Sequence, residues 1–195
     1  ADLQAAVGEE LHLHTACVVE LSWRNAARVL AQPETYALNR LRYLPLDFSR
    51  EMVARGGIGT VLRRYRDSDL APIVVNPERR PALRMRGCYL QVAAGSLIGL
   101  HGESAQMTAI DLVDAGLVHF VASSARSAGQ RAPRLSPAFE FAVYRWGRRT
   151  AEKLFIDNPW MGLWGEPLPA SRRIAKRPHS LLGALAPRGR SRRVR

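Results

Sequence analysis

The chain has 195 residues, 47% of them hydrophobic, and a formal net charge of +12. That length and composition fit one globular domain with a real core, or one domain plus a small appendage. No run of about 18 apolar residues is present, which excludes a membrane-spanning helix, and the first residues, ADLQAAVGEEL, lack the basic and apolar regions of a signal peptide.

Two cysteines, Cys17 and Cys88, each sit in an apolar, strand-like run. That pattern suits buried thiols in a reducing, cytoplasmic setting rather than a disulfide framework. The charge is uneven. Residues 172–195 hold nine Lys or Arg and no acid, so the remainder is only mildly basic. Such a segment favours polyanions.

In chain order, LHLHTACVVELS (11–22) reads as a strand. Alternation puts Leu11, Leu13, Thr15, Cys17, Val19 and Leu21 on one side and His12, His14 and Glu20 on the other. WRNAARVLA (23–31) reads as a helix stopped before Pro33. ETYALNRLRYL (34–44) reads as another, ended before Pro45. Asp47 or Ser49 can cap a third, FSREMVAR, closed by Gly56-Gly57. GTVLRRYRDSD reads as a short basic helix.

The middle turns toward β structure. Residues 72–75 (PIVV) and 84–93 (RMRGCYLQVA) are predicted strands, with a turn around Asn76-Pro77 between them. A helix, AQMTAIDLVDA, precedes Gly116, and LVHFVA (117–122) is a further strand. SSARSAGQRAPRLSP is a loop. AFEFAVYRWGRRTAEKLF (138–155) is predicted as one helix, with Phe139, Val143, Trp146, Thr150 and Leu154 at helical spacing. The turn-rich DNPWMGLWGEPLP is expected to pack back on the body. The expected fold is α+β: an N-terminal strand followed by helices as in a ribbon-helix-helix, a mixed middle, and a C-terminal amphipathic helix. One domain is expected over 1–169, with a basic, flexible tail at 170–195.

His12 and His14, at i and i+2 on a strand, point the same way and could share a metal. Zinc needs a third and usually a fourth ligand, yet Cys17 faces away and His101, His119 and His179 are distant in sequence. A solvated strand face is the plainer reading. A β-ribbon that reads bases in the major groove is the other. Asp111 and Asp114, near Glu103 and His101, could do acid–base work or hold Mg²⁺, but acids at this spacing more often form a solvated helix face. RGGIGT lacks phosphate-loop spacing, and no catalytic motif accompanies it. No cofactor is expected.

Basic clusters remain. Arg63, Arg64 and Arg66 flank Tyr65; Arg79, Arg80, Arg84 and Arg86 approach a strand; Arg145, Arg148 and Arg149 share a helix with Tyr144 and Trp146. The tail adds Arg172, Arg173, Lys176, Arg177, Arg190, Arg192 and Arg193. Together they point to phosphate contacts, which give affinity but no sequence choice. His12-Leu13-His14-Thr15 followed by a helix, together with Glu166 to His179, resembles the AcaB-type regulators of conjugative plasmids and integrative elements. The resemblance implies a homodimer whose paired strands bind DNA through a ribbon-helix-helix, with His12 and His14 as readers.

The leading expectation is therefore a non-enzymatic, dimeric DNA-binding transcriptional regulator. The alternative is a structural RNA-binding subunit of a large ribonucleoprotein, a ribosome or CRISPR effector, on a ferredoxin-like domain. A nuclease using His12, His14 or His119 ranks last, because no base, nucleophile and orienter converge in the sequence.

Overall fold

A computed structural model describes residues 18–37, 42–65, 70–79, 88–125 and 132–169, without the side chains of residues 64, 65 and 79. Five strands, β1 (Val19–Leu21), β2 (Tyr43–Phe48), β3 (Ala71–Val75), β4 (Tyr89–Ala93) and β5 (Phe120–Ala122), form one sheet. They lie in the order of the sequence. Every pairing is parallel, with Val19 opposite Leu46, Leu46 opposite Val74, Val74 opposite Leu90, and Val92 opposite Val121. This is an α/β architecture.

The ribbon-helix-helix expectation is overturned here. The strand holding Val19 and Leu21 pairs in parallel with β2 of its own chain, not with a mate. The ferredoxin-like alternative falls too, because that fold needs antiparallel neighbours.

Why the sheet is parallel is visible in β2 and β3. Their burial is nearly continuous, so both faces are covered, as parallel strands require. The segment YLPLDF was expected to be a helix end stopped by Pro45. It is instead an internal strand, and the missing Pro45 N–H removes one ladder donor. Burial on both faces outweighs that loss.

Helices α1 (Ala26–Ala31), α2 (Arg50–Ala54) and α3 (Gly57–Tyr65) follow β1 and β2. They pack Val29, Met52, Ile58 and Val61 against Leu21, Leu44, Leu46, Phe48, Val74 and Leu90. Ser49, one of the two caps expected, does cap α2: its Oγ accepts from the Met52 N–H at 3.2 Å. After β4 come α4 (Ala94–Leu97) and α5 (Glu103–Asp114); after β5 come α6 (Ser136–Trp146) and α7 (Arg148–Glu152). These elements close over Val92 and Val121 through Leu97, Ala109, Ala138, Ala142, Trp146 and Ala151.

The helix expected over 138–155 is broken. Gly147 sits at φ +87°, a conformation glycine adopts without Cβ strain, and α7 restarts from it. A π-helical turn, Lys153–Asp157, leads into α8 (Asn158–Leu163). Asp114 fastens this layer: it accepts from Trp146 Nε1 at 2.7 Å and from the Arg145 guanidinium at 3.0 Å.

The opposite, inner face of the sheet carries Tyr43, Ile73, Val75, Tyr89 and Phe120. The chain after α8 returns beneath it, burying Leu168 there and bringing Met161 alongside. Tyr43 Oη donates to the Glu166 carbonyl. The turn-rich clasp expected at 157–169 thus docks on the sheet, beginning as a helix. At neutral pH the Tyr43 hydroxyl keeps its proton, because burial, then the neighbouring Tyr89, pushes its pKa up to about 12.

Candidate functional site

In parallel sheets the strands end together, and the chain segments that leave them converge on that edge. Here the carboxyl edge begins with Glu20 and Asp47, register partners on the inner face of β1 and β2. Next comes Asn76, at the end of β3, and then Ser123 and Ser124, directly after β5.

Asn76 and Ser124 are the two non-glycine residues with positive φ among the described residues, at +53° and +49°. Their side chains meet: the Ser124 hydroxyl donates to Asn76 Oδ1 at 3.2 Å. The Asn76 N–H in turn donates to the Gln91 carbonyl at 2.9 Å. The ends of β3 and β5 are thereby tied across β4. Strained backbone of this kind gathers where a fold positions side chains for a task. Ser123 Oγ accepts from the Ala125 N–H at 3.3 Å, so its own proton can point elsewhere. The rim is neutral, made of amide and hydroxyl groups.

Beside this rim lies a cavity of about 320 Å³, along the inner face of β5 and under α8. Ile73, Phe120, Phe155 and Leu163 make it apolar; Gln91 and Ser123 supply the polar side chains. Gly162 lets α8 come this close, since a Cβ there would lie 3.0 Å from the Phe120 ring.

A second polar cluster is structural. Glu78, 1% exposed, accepts from Ser96 Oγ at 2.8 Å and from the Ala93 N–H at 3.2 Å. Ser96 Oγ also lies 2.8 Å from His101 Nδ1. A hydroxyl has one proton; with that proton on Glu78, the serine accepts from a protonated Nδ1. Ser96 is fully buried, so the Glu-Ser-His series braces the β4–α4 junction and presents no nucleophile.

The residues expected to carry function are dispersed. His12, His14, Arg66, Arg80, Arg84, Arg86 and the tail from Arg172 to Arg193, including Lys176, lie outside the described residues. Arg63 and the backbone of Arg64 belong to α3, whose helix packs with β1 to β4. Arg145, Arg148 and Arg149 lie on α6 and α7, over β4 and β5. Arg145 is held by Asp114, and Arg148 pairs with Glu152 at 3.5 Å. Arg145 and Arg148 are thus each engaged by a carboxylate of their own layer. Asp114 serves the clamp, while Asp111 and Glu103 are exposed, so the acid–base group weighed around His101 does not assemble.

His119 is no general base either. Its Nδ1 accepts from the Leu90 N–H at 3.3 Å, and burial drives its pKa down to about 4. Burial pushes the Cys88 thiol up to about 12, so it stays protonated and unreactive at neutral pH. The rim pair escaped sequence reading because Asn76 and Ser124 are 48 residues apart. Only the Asn-Pro turn marked one of them.

The model of the family "Capsular polysaccharide synthesis, CpsB/CapC" matches residues 3–163. The tyrosine-protein phosphatase CpsB of Streptococcus pneumoniae is 29% identical over 69% of this chain and 61% of its own length. The tyrosine-protein phosphatase YwqE of Bacillus subtilis is 27% identical, over 64% of this chain and 53% of its own length. The chain thus spans little more than half the length of these curated relatives. A chain from the crystal structures of YwqE from B. subtilis and CpsB from S. pneumoniae, described as unique metal-dependent tyrosine phosphatases, superposes with a TM-score of 0.65 at 21% identity. That likeness covers 86% of this chain and 71% of the other.

These matches overturn the resemblance to AcaB-type regulators and, with it, the expectation of a non-enzymatic nucleic-acid partner, DNA or RNA. They also raise the question of a metal. Among the described residues, no three His, Cys, Asp or Glu side chains lie together as a metal site requires. The Asn76–Ser124 rim offers neutral oxygens where a metal cluster needs anionic or imidazole donors. The described residues therefore do not by themselves complete a metal centre, although Glu20 and Asp47 bring two carboxylates to the same edge.

Proposed function

This chain belongs to the CpsB/CapC family of capsular polysaccharide synthesis proteins, and we propose that it is an enzyme acting on protein substrates, hydrolysing phosphotyrosine at the carboxyl edge of its sheet. The match over residues 3–163, with relatives named as tyrosine-protein phosphatases, carries this reading. In the reaction, water adds to phosphorus, the bond from phosphorus to the phenolic oxygen breaks, and that oxygen ends with a proton. A phenol, with a pKa near 10, leaves more readily than a serine alcohol.

The rim supplies positioning. The Asn76 amide nitrogen and the Ser123 hydroxyl are donors for phosphoryl oxygens, and hydrogen bonds aimed at an anion are stronger than neutral ones. A metal in this chain would have to draw at least in part on donors outside the described residues, and sequence alternation offers His12 and His14.

A cytoplasmic setting belongs to the proposal, supported by Cys88 being a thiol rather than half of a disulfide. No helix among the described residues is long and apolar enough to cross a membrane. A single domain over 1–169 with a basic segment after it is part of the same reading. Limited proteolysis that trims the chain to about residue 169 and then stops would support that division.

The test is phosphate release from a phosphotyrosyl and a phosphoseryl peptide by the whole chain, with EDTA and with added Mn²⁺. At least tenfold faster release from the phosphotyrosyl peptide is expected. No release from either peptide under either condition would overturn the phosphatase reading. Release that EDTA abolishes and His14→Ala prevents would place the paired histidines in the site.

A further inference from the structure

We propose that the cavity between β5 and α8 seats the aromatic ring of the phosphotyrosyl side chain, with the phosphoryl group held at the Asn76–Ser123–Ser124 rim. The inference rests on the phosphatase reading and adds a specificity site to it.

Four observations converge. The cavity, at about 320 Å³, lies within the range of small-molecule sites, roughly 300–1,000 Å³. It is apolar, and Phe120 and Phe155 both line it, giving a ring the edges and faces that aromatic pairs favour. Ser123 lines the cavity and is the chain neighbour of Ser124 of the rim, so the apolar slot and the polar rim meet at one residue. Finally, Ala122 keeps the strand end small. Its register partner on β4 is Ala93, another small residue. A ring carrying phosphate on its far carbon matches this order of surfaces: carbon inside, oxygen at the mouth. An unbranched alkyl phosphate would leave the aromatic walls without a partner.

The experiment separates ring binding from catalysis. p-Cresol, the tyrosine side chain without phosphate or backbone, is titrated into the isotope-labelled whole chain and followed by amide NMR. The rates of phosphate release from phenyl phosphate and ethyl phosphate are compared in parallel. Saturable shifts at Gln91, Phe120 and Gly162 are expected, together with at least a tenfold preference for phenyl phosphate.

Ala122→Leu fills the slot from the strand and should weaken p-cresol at least tenfold and remove the preference. Leu163→Ala removes a wall from the helix side and should weaken p-cresol severalfold. It also reads the same slot if the first variant does not fold. If p-cresol shifts none of these amides, or if both folded variants bind it like the parent, the ring site is wrong. Tighter, competing binding of decanoate at the same amides would also overturn it, because the slot would then suit an acyl chain. If p-cresol binds and the variants exclude it while neither phosphate ester is hydrolysed, the ring site stands and the phosphatase reading falls.

Discussion

The two ends of the sheet's inner face are built in opposite ways. At the amino end, Tyr43 and Tyr89 start their strands, and their rings meet edge-to-face with centroids 5.5 Å apart. Phe120 joins them, 6.5 Å from Tyr43, and Leu168 seals the group from below. At the carboxyl ends of β4 and β5 the inward residues shrink to Ala93 and Ala122, and polar Gln91, Asn76 and Ser123 lie nearby. One end is filled and the other is left open beside a polar rim. On β4 and β5, large residues at the strand starts and alanines at the strand ends give one sheet both a stable floor and a usable mouth.

Breaking the floor should have the largest effect. Tyr43→Ala removes a fully buried ring and its bond to Glu166. A loss of about 4 kcal/mol is expected from cavity formation, measured by urea unfolding. Ligand binding by the remaining folded molecules should be little changed.

Next in size is Asp114→Ala, on the outer side of the sheet. It strips the partner from Arg145 and from Trp146 Nε1. Leaving a half-buried guanidinium and an indole N–H without that carboxylate should cost about 3 kcal/mol. The floor and the mouth should both survive, so p-cresol should bind as before at a temperature below the new melting point.

A pH titration reaches the floor more gently. His119 meets Tyr89 edge-to-face with centroids 4.8 Å apart, and its folded pKa is lowered from 6.5 to about 4, mainly by burial. Between those values the unfolded chain binds more protons than the folded one. The contribution is therefore complete above pH 6.5 and is lost as pH falls toward 4, by roughly 3 kcal/mol. His119→Asn, read by the same unfolding curves, should flatten this slope.

The smallest stability change belongs to the mouth. Asn76→Gly keeps the positive φ and deletes the rim amide. Stability should move by less than about 1 kcal/mol. Affinity for phenyl phosphate should fall about tenfold while p-cresol, which does not need the rim, binds as in the parent. An unfolded Asn76→Gly, or one that loses both ligands alike, would erase the distinction between floor and mouth.

Local chemistry was legible where neighbouring residues decide the conformation. The PIVV strand, the turn at Asn76-Pro77, the helix before Gly116 and the Ser49 cap all rest on signals within a few residues. The misreadings had a common cause. Pro45 was a sound helix terminator, but burial on both faces of YLPLDF made it a strand. Gly147 broke a helix that hydrophobic spacing alone carried through. Net charge pointed to nucleic acid because the segment from Arg172 to Arg195 dominates the count. Charge informs solubility and association, and it is silent on fold.

By itself, then, the sequence determined which short stretches are apolar, where turns fall and where charge collects, since these are properties of adjacent residues. Only the tertiary structure decided that the five strands run parallel in sequence order, that Asn76 meets Ser124, and that an apolar cavity opens beside them. Alternation tells a strand which face is buried but not which strand lies beside it. That choice is made when the helices and the clasp cover both faces at once.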